Sequence, residues 1–243
     1  MTSDDRASRW AWLAGLALLI AAPFIGLYPV FMMKALCFAI FACAFNLLLG
    51  YTGLLSFGHA AFMGSAAYVT GWLVRSAGWS PELGVVAGTA FAGLLGLVVG
   101  LIAIRRQGIY FAMITLAMAQ MIYFICLQAP FTGGEDGLQG VPRGALFGLI
   151  PLASDVVMYF VVLAVFVAVF VFIMRVVHSP YGQVLKAIRE NEPRAVSLGY
   201  DVDRYKLLAF VLSTALAGLA GAMKTLVLGF ATLSDVHWSL SGE

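Results

Sequence analysis

The sequence is too apolar for a water-soluble globular protein. Of its 243 residues, 62% are hydrophobic and 11% are charged, whereas soluble domains carry about 25% charged residues. The net charge of +2 gives no sign of a nucleic-acid partner. The 3 cysteines lie in apolar runs without a Cys-x-x-Cys spacing, so neither a disulfide nor a metal site is expected. This composition is that of a polytopic membrane protein.

Seven runs of about 20 apolar residues predict transmembrane helices, because a helix of that length crosses the hydrocarbon core. The runs are continuously apolar and do not alternate, which excludes a closed β-barrel. The first run is expected to be retained, because Ala21-Ala22-Pro23 is a poor signal-peptide cleavage site. We predict an all-α integral membrane bundle forming one domain over 1–243, with spans at 10–29, 31–49, 57–75, 81–104, 108–129, 155–177 and 204–228.

Basic residues are distributed unequally between the two ends of the predicted bundle. Ten of them fall on the side of the N-terminus, whereas only Lys34, Arg75, Arg143 and Lys224 lie elsewhere. Because cytoplasmic loops carry an excess of Lys and Arg, the N-terminus is predicted to be cytoplasmic. The residues on that side are Arg6, Arg9, Arg105, Arg106, Arg175, Lys186, Arg189, Arg194, Arg204 and Lys206.

Small residues recur at every fourth position in two of the predicted spans. Such a ridge lets a neighbouring helix approach closely, so we expect tight helix packing and not a substrate site. The ridges are Gly84, Gly88, Ala92, Gly96 and Gly100 in the fourth span, and Ser213, Ala217 and Gly221 in the seventh.

Ser179–Tyr200 is the one long charge-rich segment between apolar runs, and we call it the amphipathic segment. Ser179 and Pro180 are typical of a helix start, and Pro193 is expected to end that helix and open a second one, which Gly199 is suited to close. This pattern predicts a bent helix pair on the membrane surface, on the cytoplasmic side. The residues alone leave open whether it rests on lipid headgroups or docks on a partner.

Four long segments of the sequence resemble permease subunits of the branched-chain amino acid ABC importers, of the LivM type. Together they cover nearly the whole chain in the family's order, which is more specific than any single motif. The resemblance implies a pathway-forming subunit of the bacterial inner membrane, working with a second homologous permease, two ATPase subunits and a periplasmic binding protein. The segments are Asn46–Phe62, Gly108–Gln120, Thr132–Pro142 and Ser179–Gly199.

The resemblance also implies a role for the amphipathic segment as the coupling helix, between the sixth and seventh spans, that docks into a groove on the ATPase. Many ABC importers carry Glu-Ala-Ala there, followed by a glycine. Here Pro193-Arg194-Ala195 precedes Gly199 at that spacing, and the acids are displaced. The candidate coupling residues are Glu190, Glu192, Arg194, Ala195 and Gly199.

The substrate implied by the resemblance is leucine, isoleucine, valine or another amino acid, with urea or short-chain amides as the alternative. A stand-alone secondary transporter is a second alternative, although no Asp or Glu falls clearly inside a predicted span. Family members continue past residues like Ser239–Glu243 into a glycine-rich segment and further helices. We therefore expect the chain to be truncated, either as a fragment or as an inactive remnant.

The chain is not expected to be an enzyme, because no nucleophile–base pair or metal-ligand set is evident in it. Gly218–Thr225 resembles a phosphate-binding loop, but Met223 replaces the glycine that lets the backbone wrap the phosphates. The stretch also lies inside an apolar run and not after a strand. We expect a transport subunit without its own ATP-binding site, cofactor or metal.

Polar side chains within predicted spans are candidates for the pathway, because burying them in lipid is costly. One group surrounds the glycine-rich break Gly50–Gly53, where unwound backbone must be covered by protein or line a cavity. A second group lies on one helix face. The first group could equally be a hydrogen-bonded turn between helices, and the second could equally form hydrogen bonds across helices. The candidates are Asn46, Ser56 and His59 at the break, and Gln120 and Tyr123 in the fifth span.

The loop Pro130–Ser154 is predicted to face outward, and its glycine-rich acidic part is expected to be flexible. It is either a solvated turn or a contact surface for the periplasmic binding protein implied by the resemblance. Lys224 lies deep in the seventh span and has no evident partner in the sequence. The candidate contact residues of the loop are Gly133, Gly134, Glu135 and Asp136.

Overall fold

The computed structural model describes residues 15, 17–24, 28–106, 108–146, 148 and 150–241. This part of the chain is predominantly α-helical, as expected where a bilayer supplies no water to satisfy backbone groups. Proline occupies an early position in α1, α3 and α6, where its missing N–H costs nothing. The helices are α1 (Pro29–Thr52), α2 (His59–Arg75), α3 (Pro81–Ala103), α4 (Ile109–Gln128), α5 (Asp155–His178), α6 (Pro180–Glu190), α7 (Glu192–Ser197) and α8 (Val202–Leu228).

Short strands and 3₁₀ turns lie before α1, in the connections between the helices and in the chain after α8. Strands β1 (Leu138–Gln139) and β4 (Phe230–Ala231) form one antiparallel pair, and β2 (Ala145–Leu146) and β3 (Ile150–Pro151) form another. The first pair joins the loop after α4 to the chain that leaves α8. The 3₁₀ turns are Ala22–Phe24, Pro130–Thr132, Gly134–Asp136, Leu233–Asp235 and Trp238–Ser241.

Five helices of the described residues, α1, α3, α4, α5 and α8, are long and apolar enough to cross a membrane. They correspond to the second, fourth, fifth, sixth and seventh predicted spans, so an all-α membrane protein is supported. The third predicted span is α2, which has only 17 residues and is largely buried by other helices. The first predicted span, 10–29, falls mostly outside the described residues, so the count of seven stays a prediction.

Helix α8 lies at the centre of the bundle, packed against α1, α2 and α3. A methyl group on Gly88 of α3 would lie 2.8 Å from the carbonyl oxygen of Ala66, and one on Gly96 would lie 2.7 Å from Cβ of Thr214. These distances are too short for any side chain larger than hydrogen. The prediction that the small-residue ridges permit close helix packing is therefore confirmed.

The chain turns back into the bundle after α8. Gly229 ends that helix in the left-handed conformation, with φ at 75°, and residues 229–241, which we call the return segment, then follow α2 toward its N-terminus. The backbone of Val236 packs on Gly64, and the Ala60 amide donates a hydrogen bond to Ser241 Oγ at 2.7 Å. The described chain thus ends within the bundle, covering α2.

Candidate functional site

The amphipathic segment consists of two short helices, as the sequence predicts. Helix α6 begins after Ser179, whose hydroxyl accepts a hydrogen bond from the Gly182 amide. It ends at Glu190 because Asn191 is extended, with φ at −155°, and α7 starts again with Pro193 in its first turn. Asn191 caps α7 by accepting a hydrogen bond from the Arg194 amide at 3.1 Å.

The inner face of this helix pair is packed against the base of α8. Ile188 and Ala195 are buried together with Val202. Ala195, a candidate coupling residue, is therefore not on the exposed surface of the segment. The Tyr181 hydroxyl donates a hydrogen bond to the Tyr205 carbonyl oxygen at 2.9 Å. Burial, together with Tyr205, raises the pKa of Tyr181, so its hydroxyl stays protonated and able to donate.

Besides the Tyr181 hydrogen bond to α8, two further polar contacts attach the amphipathic segment to the spanning helices. The Arg189 guanidinium donates a hydrogen bond to the carbonyl oxygen of Gly50, in the last turn of α1. Glu192 Oε2 lies 2.7 Å from Nζ of Lys206, a buried residue of α8. Glu192 is therefore engaged with its own subunit, whereas Glu190 is exposed. Of the two acids considered from the sequence, Glu190 is the more exposed, and it lies beside Gly50 and Tyr51 at the end of α1.

The outer surface of the segment is partly apolar. Gly199 closes it with φ at 87°, and a side chain there would meet open space. Arg194 is exposed beside this apolar surface. A hydrophobic group on an exposed charged segment is typical of a protein contact site. The exposed apolar residues are Val196, Leu198 and Tyr200.

The break between α1 and α2 comprises residues 53–58 and is not helical. Gly53 ends α1 with φ at 72°, and the fully buried Ser56 accepts a hydrogen bond from the Gly58 amide. A methyl group on Gly58 would lie 2.6 Å from the carbonyl oxygen of Thr115, so the break packs directly on α4. Unwound backbone covered by protein at membrane depth is common at transporter substrate sites.

His59, the first residue of α2, is fully buried beside this break. Its Nε2 lies 2.7 Å from Ser213 Oγ, which in turn donates to the carbonyl oxygen of Ala44. Its Nδ1 has no hydrogen-bond partner in the described part of the chain. Phe45 and Phe62 surround the ring edge-on. His59 thus joins α1, α2 and α8 through one polar chain within an aromatic shell.

The remaining pathway candidates lie apart from this pair. Asn46 is exposed on α1, with its side-chain oxygen over Gly50. Gln120 is exposed on α4 among apolar side chains, and the Tyr123 ring packs edge-on against His237 at 5.5 Å. The structure brings Ser56 and His59 together but does not join them with Asn46, Gln120 or Tyr123 in one cavity.

The loop expected to contact a binding protein is ordered by backbone interactions. Gly134–Asp136 forms a 3₁₀ turn, and Gly133 before it has φ at 81°. Thr132 bonds back to the end of α4, and the β1–β4 pair secures the other side. Glu135 and Asp136 remain exposed. The loop therefore presents Glu135 and Asp136 from a 3₁₀ turn, and its expected flexibility stays a prediction.

A buried ion pair, Lys224 with Asp235, was not identified from the sequence. Lys224 Nζ contacts Asp235 Oδ1, and their side chains are only 8% and 6% exposed. The ammonium also lies 5.3 Å from the Phe38 ring centroid. The sequence offers one indication of this pair, because Asp235 is the next acidic residue after Lys224. Asp235 lies beyond the predicted span 204–228, so the two residues were not connected. The pair fastens the return segment to α8.

No group of three or more His, Cys, Asp or Glu side chains in the described residues has the arrangement of a metal site. The stretch that resembles a phosphate-binding loop, Gly218–Thr225, lies inside α8. These observations define a multi-pass membrane protein whose polar groups are gathered at a break, an ion pair and a surface helix pair.

The family of the chain follows from comparison with known proteins. The family model described as the permease component of the branched-chain amino acid transport system matches residues 29–242. The chain belongs to this family. The resemblance seen in the sequence is confirmed.

Curated relatives support the same family. The chain is 29% identical over 221 residues to the high-affinity branched-chain amino acid transport system permease protein LivM of Salmonella typhimurium and to that of Escherichia coli, covering 79% of this chain and 51% of each relative. It is 26% identical over 211 residues to the probable LivM of Methanocaldococcus jannaschii, covering 79% of this chain and 58% of the relative. The chain spans about half the length of the curated relatives it matches. No solved structure matches it.

Proposed function

We propose that this chain is a membrane subunit of an ATP-driven importer for branched-chain or similar amino acids. The family match over 29–242 and relatives named as branched-chain amino acid permeases support this substrate class. The subunit would lie in the inner membrane and form the pathway together with a second homologous permease. A periplasmic binding protein would deliver the substrate, and two ATPase subunits would supply the energy.

The observation that carries the coupling role is the construction of the amphipathic segment. Its inner face is anchored to α1 and α8, while its outer face exposes Val196, Leu198 and Tyr200 beside Gly199. An anchored segment with an exposed apolar surface is suited to receive force from a partner. We propose that an ATPase groove takes this surface and that ATP-driven movement tilts the spanning helices.

The orientation follows from the excess of basic residues at the end that carries the amphipathic segment. That end and the N-terminus would face the cytoplasm, and the acidic turn with Glu135 and Asp136 would face the binding protein. Near the break, Ser56 and His59 are the residues we propose to be closest to the pathway. Asn46, Gln120 and Tyr123 would reach it only on surfaces that another subunit covers.

Gly199→Trp tests the docking role. Nothing lies within 4 Å of a Cβ atom at Gly199, so we expect an indole there to leave the bundle packing intact and to obstruct a partner. Gly78→Trp is the matched control, because Gly78 also has a positive φ and open space but lies between α2 and α3 at the opposite end. Both variants place a side chain at a positive φ, 67° at Gly78 and 87° at Gly199.

The measurement is recovery of the ATPase subunits with the purified permease, together with ATPase stimulation by loaded binding protein. We expect Gly199→Trp to lose both and Gly78→Trp to keep both. If both variants recover the ATPase subunits equally and respond equally, the amphipathic segment is not the docking site.

A further inference from the structure

The amphipathic segment meets the spanning helices at a point where helical hydrogen bonding stops. The carbonyl oxygen of Gly50 lies in the last turn of α1, where helix carbonyls lose their intrahelical partners. Arg189, one residue from the end of α6, donates a hydrogen bond to this oxygen. A positive charge is also favourable at a helix C-terminus because of the helix dipole.

Neighbouring contacts hold the same helix end. A methyl group on Gly53 would lie 3.3 Å from Cγ of Arg189, so the arginine stem lies directly over the last residue of the turn. Lys186, three residues earlier on α6, has its Nζ 5.7 Å from the centroid of the Tyr51 ring. One face of α6 therefore packs against the final turn of α1.

The final turn of α1 is followed immediately by the break at residues 53–58. The break packs against the Thr115 carbonyl of α4 at Gly58, and it ends at His59, which is bonded to Ser213 of α8. A displacement of the α1 end must therefore be absorbed by a non-helical segment that contacts two other spans. Such segments at helix ends are where hinges in moving domains occur.

The contact between the amphipathic segment and α8 differs from its contact with α1. Glu192 pairs with Lys206, which belongs to the continuous 27-residue helix α8. Force applied there moves a rigid helix as one body and does not act on a hinge. The contacts to α8, from Glu192 and Tyr181, thus reach a rigid element, whereas the contact to α1 reaches a deformable one.

We propose that Arg189 is the positioning residue through which movement of the amphipathic segment reaches the break between α1 and α2. The proposal rests on the coupling role proposed above and adds the route by which it reaches the candidate pathway. Arg189 acts through the α1 end and the break, and does not contact the substrate itself.

The test uses the assembled complex with its ATPase subunits and binding protein in lipid nanodiscs. Arg189→Gln removes the charge and keeps a polar side chain, and Arg189→Lys retains a cation. Arg106→Gln is the control, because Arg106 is an exposed arginine at the same end of the bundle. Cysteine reporters are placed at Leu55, an exposed side chain of the break, and at Ser197 on α7.

Labelling rates of both reporters are measured with and without ATP, after subtracting the labelling of complexes that lack the reporter. In the parent and in Arg106→Gln, ATP should change both rates. In Arg189→Gln, the response at Ser197 should persist and that at Leu55 should be lost. Amino acid uptake should fall at least about tenfold, the effect of losing a hydrogen bond from a charged donor, and Arg189→Lys should lie between.

A normal ATP response at Leu55 in Arg189→Gln would overturn the assignment of Arg189. A parent complex in which ATP alters neither reporter would refute the docking role, and the proposal for Arg189 would fail with it. Recovery of the ATPase subunits equal to that of Arg106→Gln separates a transmission defect from an assembly defect.

Discussion

Removing one partner of the buried ion pair should destabilise the protein more than any surface charge change. Asp235→Asn leaves the Lys224 ammonium in a site where its side chain is only 8% exposed. Breaking a buried pair in this way costs about 3–5 kcal/mol, because the remaining charge is uncompensated. The Phe38 ring, 5.3 Å from the ammonium, is present in both proteins, so its cation–π contribution does not offset this difference.

Replacing both members with apolar residues should largely restore stability. Lys224→Met with Asp235→Leu removes both charges and keeps similar volumes, and such exchanges of buried pairs are often neutral or stabilising. Arg204→Gln is the surface control, because its pair with Asp201 has side chains 86% and 52% exposed. Exposed pairs of this kind contribute about 0–1 kcal/mol.

Thermal unfolding in detergent measures these differences directly. For a chain of this size, each kcal/mol shifts Tm by about 2–4 °C, so Asp235→Asn should lower Tm by about 6–20 °C. The double variant should recover most of that loss, and Arg204→Gln should move Tm by less than about 4 °C. A single variant as stable as Arg204→Gln would refute the view that the pair is buried and coupled. A double variant as unstable as the single one would show that the loss of charge pairing does not cause the destabilisation.

Two further predictions concern topology and selectivity. Cysteines introduced at Ser197 and Gly134 should label from opposite sides of the membrane, with Ser197 reached only from the cytoplasm, and labelling of both from one side would contradict the orientation. Gln120→Ala should slow uptake several-fold, since an amide contributes about 0.5–1.5 kcal/mol through one hydrogen bond, without changing the order of preference for leucine, valine and urea. Competition uptake with one binding protein measures that order, and a reversed preference would place selectivity in this subunit.

The sequence identified the elements whose signal is local. Apolar runs predicted the five long helices, and the recurrence of small residues at Gly88 and Gly96 predicted which faces pack closely. Ser179 and Pro193 marked the two helices of the amphipathic segment. Each of these depends on residues within a few positions of one another, where helix geometry fixes what contacts what.

Features set by contacts between distant residues were not predicted. The return segment has no periodic pattern, and its path along α2 depends on Gly64 accepting Val236 and on Lys224 finding Asp235. Likewise, nothing in the local pattern indicated that Glu192 would pair with Lys206, although this contact decides which acid of the amphipathic segment is exposed. Among the pathway candidates, spacing could not tell buried Ser56 from exposed Asn46 on the preceding helix.

The most direct test of the proposed function is ATP dependence of amino acid uptake by the reconstituted complex. The full chain, its partner permease and the two ATPase subunits would be placed in vesicles, with binding protein and radiolabelled leucine on the opposite side from ATP. Uptake should require ATP hydrolysis and should be abolished by Gly199→Trp but not by Gly78→Trp, because only Gly199 lies on the exposed surface of the amphipathic segment. Leucine uptake that proceeds without ATP or without the ATPase subunits would contradict this account and indicate a transporter that works alone.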